Sequence, residues 1–246
     1  MYRMEIMYSV WNTGKCNVIE LSEQAFFDRI KNECKIIFDI GCREDTWYIE
    51  HSFNKIFYVF EPYPEFLDNF KKNLGKIKIP TNNLVYMNDF GLGSKTEMRE
   101  YFVDSQSFFV RKSYPYQSSL SHLFLVRRFR EYLDDMDIKN IDFLKIDVEG
   151  CEAEILFDDV EFIKNKVKYI QFEYANTWTD KGETRMLEDV IKTFYNFNFS
   201  FLYDPGHPFA HLNENLLTEI NTNAISEIEA TKEKGHYGLN IIMERK

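Results

Sequence analysis

The sequence predicts an α/β domain built on a mostly parallel sheet with helices on both faces. Three observations predict it. Apolar runs of strand length recur at Ile36–Phe38, Ile56–Phe60, Leu84–Asn88, Ile141–Ile146 and Val167–Phe172. Segments with helical spacing of apolar residues lie between them, as a parallel sheet with crossover helices requires. Several of these runs end on an acid, at Asp39, Glu61, Asp147 and Glu173. The carboxyl edge is where an open α/β sheet binds its ligands. With 246 residues, 44% of them hydrophobic, the chain is expected to form one domain over residues 1–246, with an N-terminal extension and helix over 1–34.

Taken in order, Met1 to Glu20 reads as an edge hairpin or an extension. Ser22 to Asn32 reads as a helix that Ser22 caps, with Ala25, Phe26, Phe27 and Ile30 on one face. The first strand and the turn after Gly41 lead to a short helix from Thr46. After the second strand, Pro62 and Pro64 flank Tyr63 and start a helix that runs to Leu74 and stops at Gly75. Asp89 to Gly93 turns away from the third strand, and Glu97 to Val103 reads as a short extra strand. Ser105 to Leu125 is expected to be a loop, followed by a helix over Arg127–Met136. Cys151–Phe157 and Gly182–Tyr195 read as helices, and Phe197–Tyr203 and Tyr237–Met243 as strands. Leu216 to Lys234 carries both helical and disordered character.

Composition narrows the function. Net charge is −10, and only Val126-Arg127-Arg128-Phe129-Arg130 resembles a phosphate-binding cluster, so no nucleic-acid partner is expected. No apolar run is long enough for a bilayer, and Met1 to Val10 lacks a signal-peptide core, so no membrane partner is expected. The four cysteines form no C-x-x-C pair. They suit neither zinc nor a disulfide framework, and the chain reads as reduced and cytoplasmic.

Ile36 to Glu61 reads as strand, tight turn, helix, strand, acid, which is a nucleotide-cofactor half-site. Gly41 permits the turn and a close approach, and Glu61, 20 residues later, suits a ribose diol. A dinucleotide needs further glycines to seat its pyrophosphate on backbone N–H groups. Here Glu44 and Asp45 stand where phosphates would lie and would repel them, unless they only cap the next helix. S-adenosylmethionine has no phosphate, and its ammonium and sulfonium tolerate acids. At the end of the fourth parallel strand, Lys145 and Asp147 fall on one face. They form either a structural ion pair or a substrate-facing acid held by a lysine.

The ordered segments FDIGCRED, YVFEPYPEF, NDFGLG, IDFLKIDVEGCEAEIL and YIQFEY resemble the FkbM family of S-adenosylmethionine-dependent methyltransferases, from about Lys35 to Tyr203. K-I-D-V-E-G with the following Glu152 is the most specific element. Arg43 and Asp45 depart from the small residues the family generally has after D-I-G. The resemblance implies a Rossmann-like methyltransferase fold with a seven-stranded sheet. It implies S-adenosyl-L-methionine as cofactor, bound by Asp39, Gly41, Arg43, Glu61, Pro62, Asp89, Phe90, Ser119 and Asp147. It implies O-methylation of a hydroxyl on a sugar, glycan or glycosylated metabolite.

Methyl transfer to a hydroxyl needs a base within hydrogen-bond reach. Asp147 is the first candidate, Glu173 the second and His122 the third. Ser118 and Ser119 bind cofactor or sugar, or turn the chain. Tyr114, Tyr116, Tyr174, Asn176 and Trp178 are candidate acceptor contacts. His207 and His211 are not expected to bind metal, and a divalent ion on Asp147, Glu149 and Glu173 ranks below metal-free catalysis. Two alternatives stay open, a nicotinamide-dependent oxidoreductase and a binding module that keeps the fold without catalysis.

Overall fold

The computed structural model describes residues 23–77, 81–103, 108–109, 121–175, 178, 185, 187–202, 210–211 and 238–246. The strands are β1 (Ile36–Ile40), β2 (Ile56–Phe60), β3 (Leu84–Asn88), β4 (Gly91–Gly93), β5 (Glu97–Val103), β6 (Phe108–Phe109), β7 (Ser121–Arg128), β8 (Ile141–Ile146), β9 (Val167–Ala175), β10 (Phe197–Leu202), β11 (Ala210–His211) and β12 (Gly238–Arg245). The helices are α1 (Glu23–Ile30), α2 (Trp47–Glu50), α3 (Pro64–Leu74), α4 (Phe129–Asp135), α5 (Glu152–Leu156), α6 (Val160–Lys166) and α7 (Leu187–Thr193).

The main sheet runs β11-β10-β12-β9-β8-β1-β2-β3. The five strands from β9 to β3 are parallel, and β12 runs antiparallel between β9 and β10. These are the seven expected strands, with the two-residue β11 added at one edge. Alternation along each strand feeds two cores. Phe38, Ile40, Tyr58, Phe60, Leu144 and Ile146 face one core, with Phe129, Tyr132, Ile155, Ile163 and Val190 of α4 to α7. Ile37, Phe57, Val59 and Phe143 face the other, with Phe26, Phe27, Ile30, Tyr48, Ile49 and Phe70 of α1 to α3. Both faces are therefore covered, as the near-continuous apolar strands require.

Three expectations are corrected. Residues from Ser121 to Leu125 are not a loop, and the next helix does not begin at Arg127. Buried Phe124 and Val126 alternate with exposed Leu123 and Leu125, a two-residue period that makes β7 a strand. It joins β4, β5 and β6 in a second sheet, ordered β4-β7-β5-β6, so His122 lies on a strand. Next, β9 continues through Ala175, which puts Glu173 inside it. Last, α6 was missed, although Asp159 caps it by accepting the Phe162 N–H at 2.9 Å. The expected features at Met1–Glu20, Ser22, Tyr114, Tyr116, Ser118, Ser119, Asn176, His207 and Leu216–Lys234 lie outside the described residues.

Arginines fasten the second sheet to the main body. Arg99 of β5 grips Glu154 of α5 with two hydrogen bonds, at 2.6 and 3.0 Å. Arg128 binds Asp158 at 2.7 Å, and Arg130 binds Asp159 at 2.9 Å and Asp134. Arg127 pairs with Asp135. The basic run seen in the sequence is thus engaged with carboxylates.

Arg99→Met is expected to remove the bidentate pair and leave Glu154 half-buried beside an apolar chain, a loss of about 1.5–3 kcal/mol. Hydrogen exchange should rise in β5 and β7 and stay constant in β1 and β8. Unchanged protection in β5 would assign that sheet's attachment to Phe124 and Val126 instead.

Candidate functional site

Strand order reverses between β1 and β8, so their carboxyl ends open a crevice. The ends are drawn tightly together. Gly41 has φ 83°, and a Cβ there would lie 1.8 Å from the Asp147 carbonyl oxygen. Only glycine fits both the angle and the approach. The Gly41 N–H donates to Phe60 O, and the Asp147 N–H to Ile40 O, each at 2.9 Å. Gly41 therefore joins β1, β2 and β8 at one point.

Glu61 ends β2 and is 1% exposed. Its two oxygens accept the Arg43 and Tyr63 N–H groups, both at 2.9 Å. Burial pushes its carboxyl up to about 7, against the lowering effect of those two bonds. Arg43 sits in the left-handed region at φ 51°, with its guanidinium 5.0 Å from the Phe66 ring centre. Asp45 accepts the Trp47 N–H at 2.8 Å and so caps α2. Pro62, exposed Asp89 and His122 line one cavity of about 350 Å³. His122 packs against the rings of Tyr63 and Phe124. Phe90 lies edge-on to Phe60 and Tyr132.

Across the reversal, Asp39 and Lys145 are register partners. Lys145 is 8% exposed, and its ammonium lies 3.6 Å from Asp39 Oδ1 and 3.2 Å from Asp147 Oδ2. Burial opposes its charge, but the two carboxyl groups outweigh that and raise its pKa well above the usual lysine range. Burial also lifts Asp39 to about 6, despite Lys145. The Asp147 side chain is 42% exposed and faces the crevice mouth.

The turn after Asp147 depends on a residue whose role the sequence reading missed. Glu149 has φ 55° and Gly150 φ 94°. Buried Glu152 accepts the N–H groups of Val148 and Gly150, each at 3.0 Å, and fixes this turn. The available signal was an acid two residues after a glycine that follows a strand.

Glu173, on the neighbouring β9, is pushed well above the usual carboxylate range by burial and by Asp147, Glu152, Glu149 and Glu23. The structure thus groups Asp147 with Glu173, and His122 with Pro62 and Asp89. Ser119 lies outside the described residues. Tyr174 and Trp178, expected to face an acceptor, are buried instead. They pack on each other, and the indole N–H donates to Glu173 O at 3.1 Å. Among the described residues no three His, Cys, Asp or Glu side chains are grouped to hold a metal ion, and no helix is long and apolar enough to cross a membrane.

A family model described as the Methyltransferase FkbM domain matches residues 39–201. No curated protein matches the chain. Among solved structures, it is similar to a methyltransferase FkbM from Methylobacillus flagellatus KT, with 14% identity and a TM-score of 0.46. That match covers 73% of this chain and only 42% of the other. It is also similar to an rRNA methylase from Streptococcus thermophilus, at 11% identity and a TM-score of 0.46, covering 90% and 93% of the two chains. A third is M. capricolum TrmK in complex with S-adenosyl-homocysteine, at 13% identity and a TM-score of 0.42, covering 93% and 70%. Likenesses at this level concern the fold alone. The expectation of no nucleic-acid partner does not stand: an rRNA methylase and a pre-rRNA processing protein are among the structures to which this chain is similar.

The raised carboxyls fix the sign of a pH dependence. Between about 4.5 and 7 the folded chain keeps a proton on Glu61 that the unfolded chain has released, so stability falls as pH rises through that window. Asp39 acts in the same direction up to about 6. The Glu61 contribution is on the order of 3 kcal/mol. Urea midpoints of the ligand-free chain should fall from pH 5.5 to 7.5, and less steeply in Glu61→Gln. An equal slope in the variant would mean that Glu61 titrates normally.

Proposed function

The chain belongs to the FkbM methyltransferase domain family, and from that premise we propose that it is an S-adenosylmethionine-dependent O-methyltransferase acting on a hydroxyl of a sugar or glycan. The observation that carries the proposal is the meeting of Asp39, Gly41, Glu61 and Asp147 where the strand order reverses.

The donor set fits this cofactor. The turn offers acceptors to a cation and a diol, and Asp39 Oδ1 is buried without a hydrogen-bond partner among the described residues. It offers no glycine-lined cradle for a pyrophosphate, and Asp45 already caps α2. That favours S-adenosylmethionine over a nicotinamide dinucleotide. Glu61 and Pro62 would hold the ribose end, Asp89 and Phe90 the adenine, and Asp39, Gly41 and Arg43 the amino-acid end, with Ser119 a further candidate contact. When bound, the cofactor supplies an electrophilic methyl group on a sulfonium.

The chain's own residues supply position and a proton acceptor. Asp147 accepts the proton of the acceptor hydroxyl, and Lys145 orients its carboxylate from 3.2 Å. Glu173 is a weaker base at neutral pH, because its surroundings keep the proton on. His122 lies with the residues at the ends of β2 and β3, so it ranks third. Carboxylates at the mouth also accept hydrogen bonds from sugar hydroxyls.

Glu61→Ala should weaken S-adenosylmethionine binding by about 1.5–3 kcal/mol for each lost charge-assisted bond, read by calorimetry. Unchanged affinity in a folded variant would remove Glu61 from the site. Asp147→Asn should lower kcat by about 10²–10⁴ while cofactor affinity changes far less. If both fall together, Asp147 is a binding residue. The acceptor panel should hold glycans and an RNA; methylation of the RNA alone would refute the sugar assignment, and no transfer to either would favour a non-catalytic binding module.

A further inference from the structure

β3 is the last strand of the main sheet, and no described strand pairs with its outer side. Its ladder to β2 fixes which backbone groups are already engaged. The Leu84 N–H donates to Lys55 O at 2.9 Å, and Asn88 O accepts the Glu61 N–H at 3.0 Å. Leu84, Tyr86 and Asn88 therefore turn their backbones to β2, and Val85 and Met87 turn theirs outward, as alternation along a parallel strand requires. Leu84-Val85-Tyr86-Met87-Asn88 holds no charge, proline or glycine, so it lacks the residues that usually blunt a free edge.

The side chains mark the same edge. Among the described residues nine large apolar side chains are exposed, and Phe53, Leu84, Tyr86 and Met87 are four of them, each about half exposed. Phe53 lies at the start of β3, because the Asn54 N–H donates to Thr81 O at 2.9 Å and Asn83 Nδ2 to Ser52 O at 3.0 Å. Apolar exposure gathered at one place marks an interaction surface rather than ordinary scatter.

The strand is complementary to itself. A two-fold axis normal to the sheet sets β3 antiparallel to β3 of a second copy and keeps each face on its own side. Centred on Tyr86, it places Val85 of one copy opposite Met87 of the other, Leu84 opposite Asn88, and Tyr86 opposite Tyr86. Every outward N–H of Val85 and Met87 then meets an outward carbonyl, and the two Tyr86 rings form a cross-strand pair. At a net charge of −10, copies repel where charged surfaces approach, and this strand brings no charge to the contact. Four half-exposed side chains from each copy, with the two strand backbones, amount to roughly 1,000 Å², the lower limit of a specific interface. We infer that the chain forms a homodimer by antiparallel pairing of β3 with β3 of a second copy, which joins the two main sheets into one. The contact uses each edge once, so assembly stops at two.

The test is sedimentation velocity of the full chain. The mass should rise from one chain towards two between about 1 and 100 µM, as suits an interface of that size. Val85→Pro removes an N–H that faces away from β2, so the ladder to β2 and the fold, checked by circular dichroism, should persist while the chain stays monomeric. Met87→Lys puts a charge on the edge and should do the same. Tyr86→Cys with Cys16→Ser should give a disulfide-linked dimer on mild oxidation, because Cα atoms directly opposed in such a pair lie about 4.5 Å apart. Cys34, Cys42 and Cys151 are buried and should not compete. Leu123→Cys in the same background, exposed on the second sheet, should not cross-link. A monomer at about 100 µM would overturn the inference. So would an association that survives both Met87→Lys and a folded Val85→Pro, or cross-linking as fast at Leu123→Cys as at Tyr86→Cys.

Discussion

Lys145 is the buried cation on which the crevice depends. An ammonium inside a sheet is expensive unless its charge is met. Here Asp39 meets it from the adjacent strand and Asp147 from two residues along its own. Removing the lysine would leave buried Asp39 without a countercharge beside the half-exposed Asp147. The three groups are therefore best understood as one unit. Its geometry is set by the parallel register of β1 and β8, and Gly41 lets the two strand ends approach closely enough to keep that register.

From this unit the charge pattern of the molecule follows. Acids gather at the carboxyl edge of the sheet, where Asp39, Glu61, Asp147 and Glu173 end or approach the ends of their strands. Burial raises Asp39, Glu61 and Glu173 because too little positive charge is near. Arg99 and Arg128 lie elsewhere, fastening the second sheet through Glu154 and Asp158. A ligand arriving at the crevice thus meets hydrogen-bond acceptors more than donors. That suits a cationic cofactor and a hydroxyl-bearing acceptor.

What could be read from the sequence was what is local. Five apolar strands, the helix after Pro64 and the Asp39-Ile40-Gly41 turn each declare themselves by period or by punctuation within a few residues. The second sheet does not. β7 pairs with β5 across a long segment, and its Leu123 and Leu125 are apolar yet exposed, so the alternation of buried and exposed positions was not an alternation of apolar and polar ones. Trp178 looked available to a sugar because tryptophan often is; its indole N–H finds Glu173 O inside the core. In the candidate site, Asp39, Glu61 and Asp147 stood out because each lies within one residue of a strand's end. Glu152 was not, because it acts on backbone N–H groups rather than on a ligand.

That last residue explains how a half-exposed acid can be positioned well. Asp147 begins a turn in which Glu149 and Gly150 both take the left-handed conformation, which a non-glycine residue adopts only when its surroundings enforce it. The enforcement comes from one carboxylate. Glu152 is fully buried and holds the Val148 and Gly150 N–H groups, so the backbone on the far side of Asp147 is tied down by two hydrogen bonds to one carboxylate. Lys145 then needs to restrain only the side chain. A conservative change at Glu152 would act on Asp147 without touching it, through the turn, and its effect on turnover would exceed its effect on any direct contact with a ligand. The sequence segment K-I-D-V-E-G-C-E is thus a single device: a lysine below the acid, a strained turn above it, and a buried acid that holds the turn.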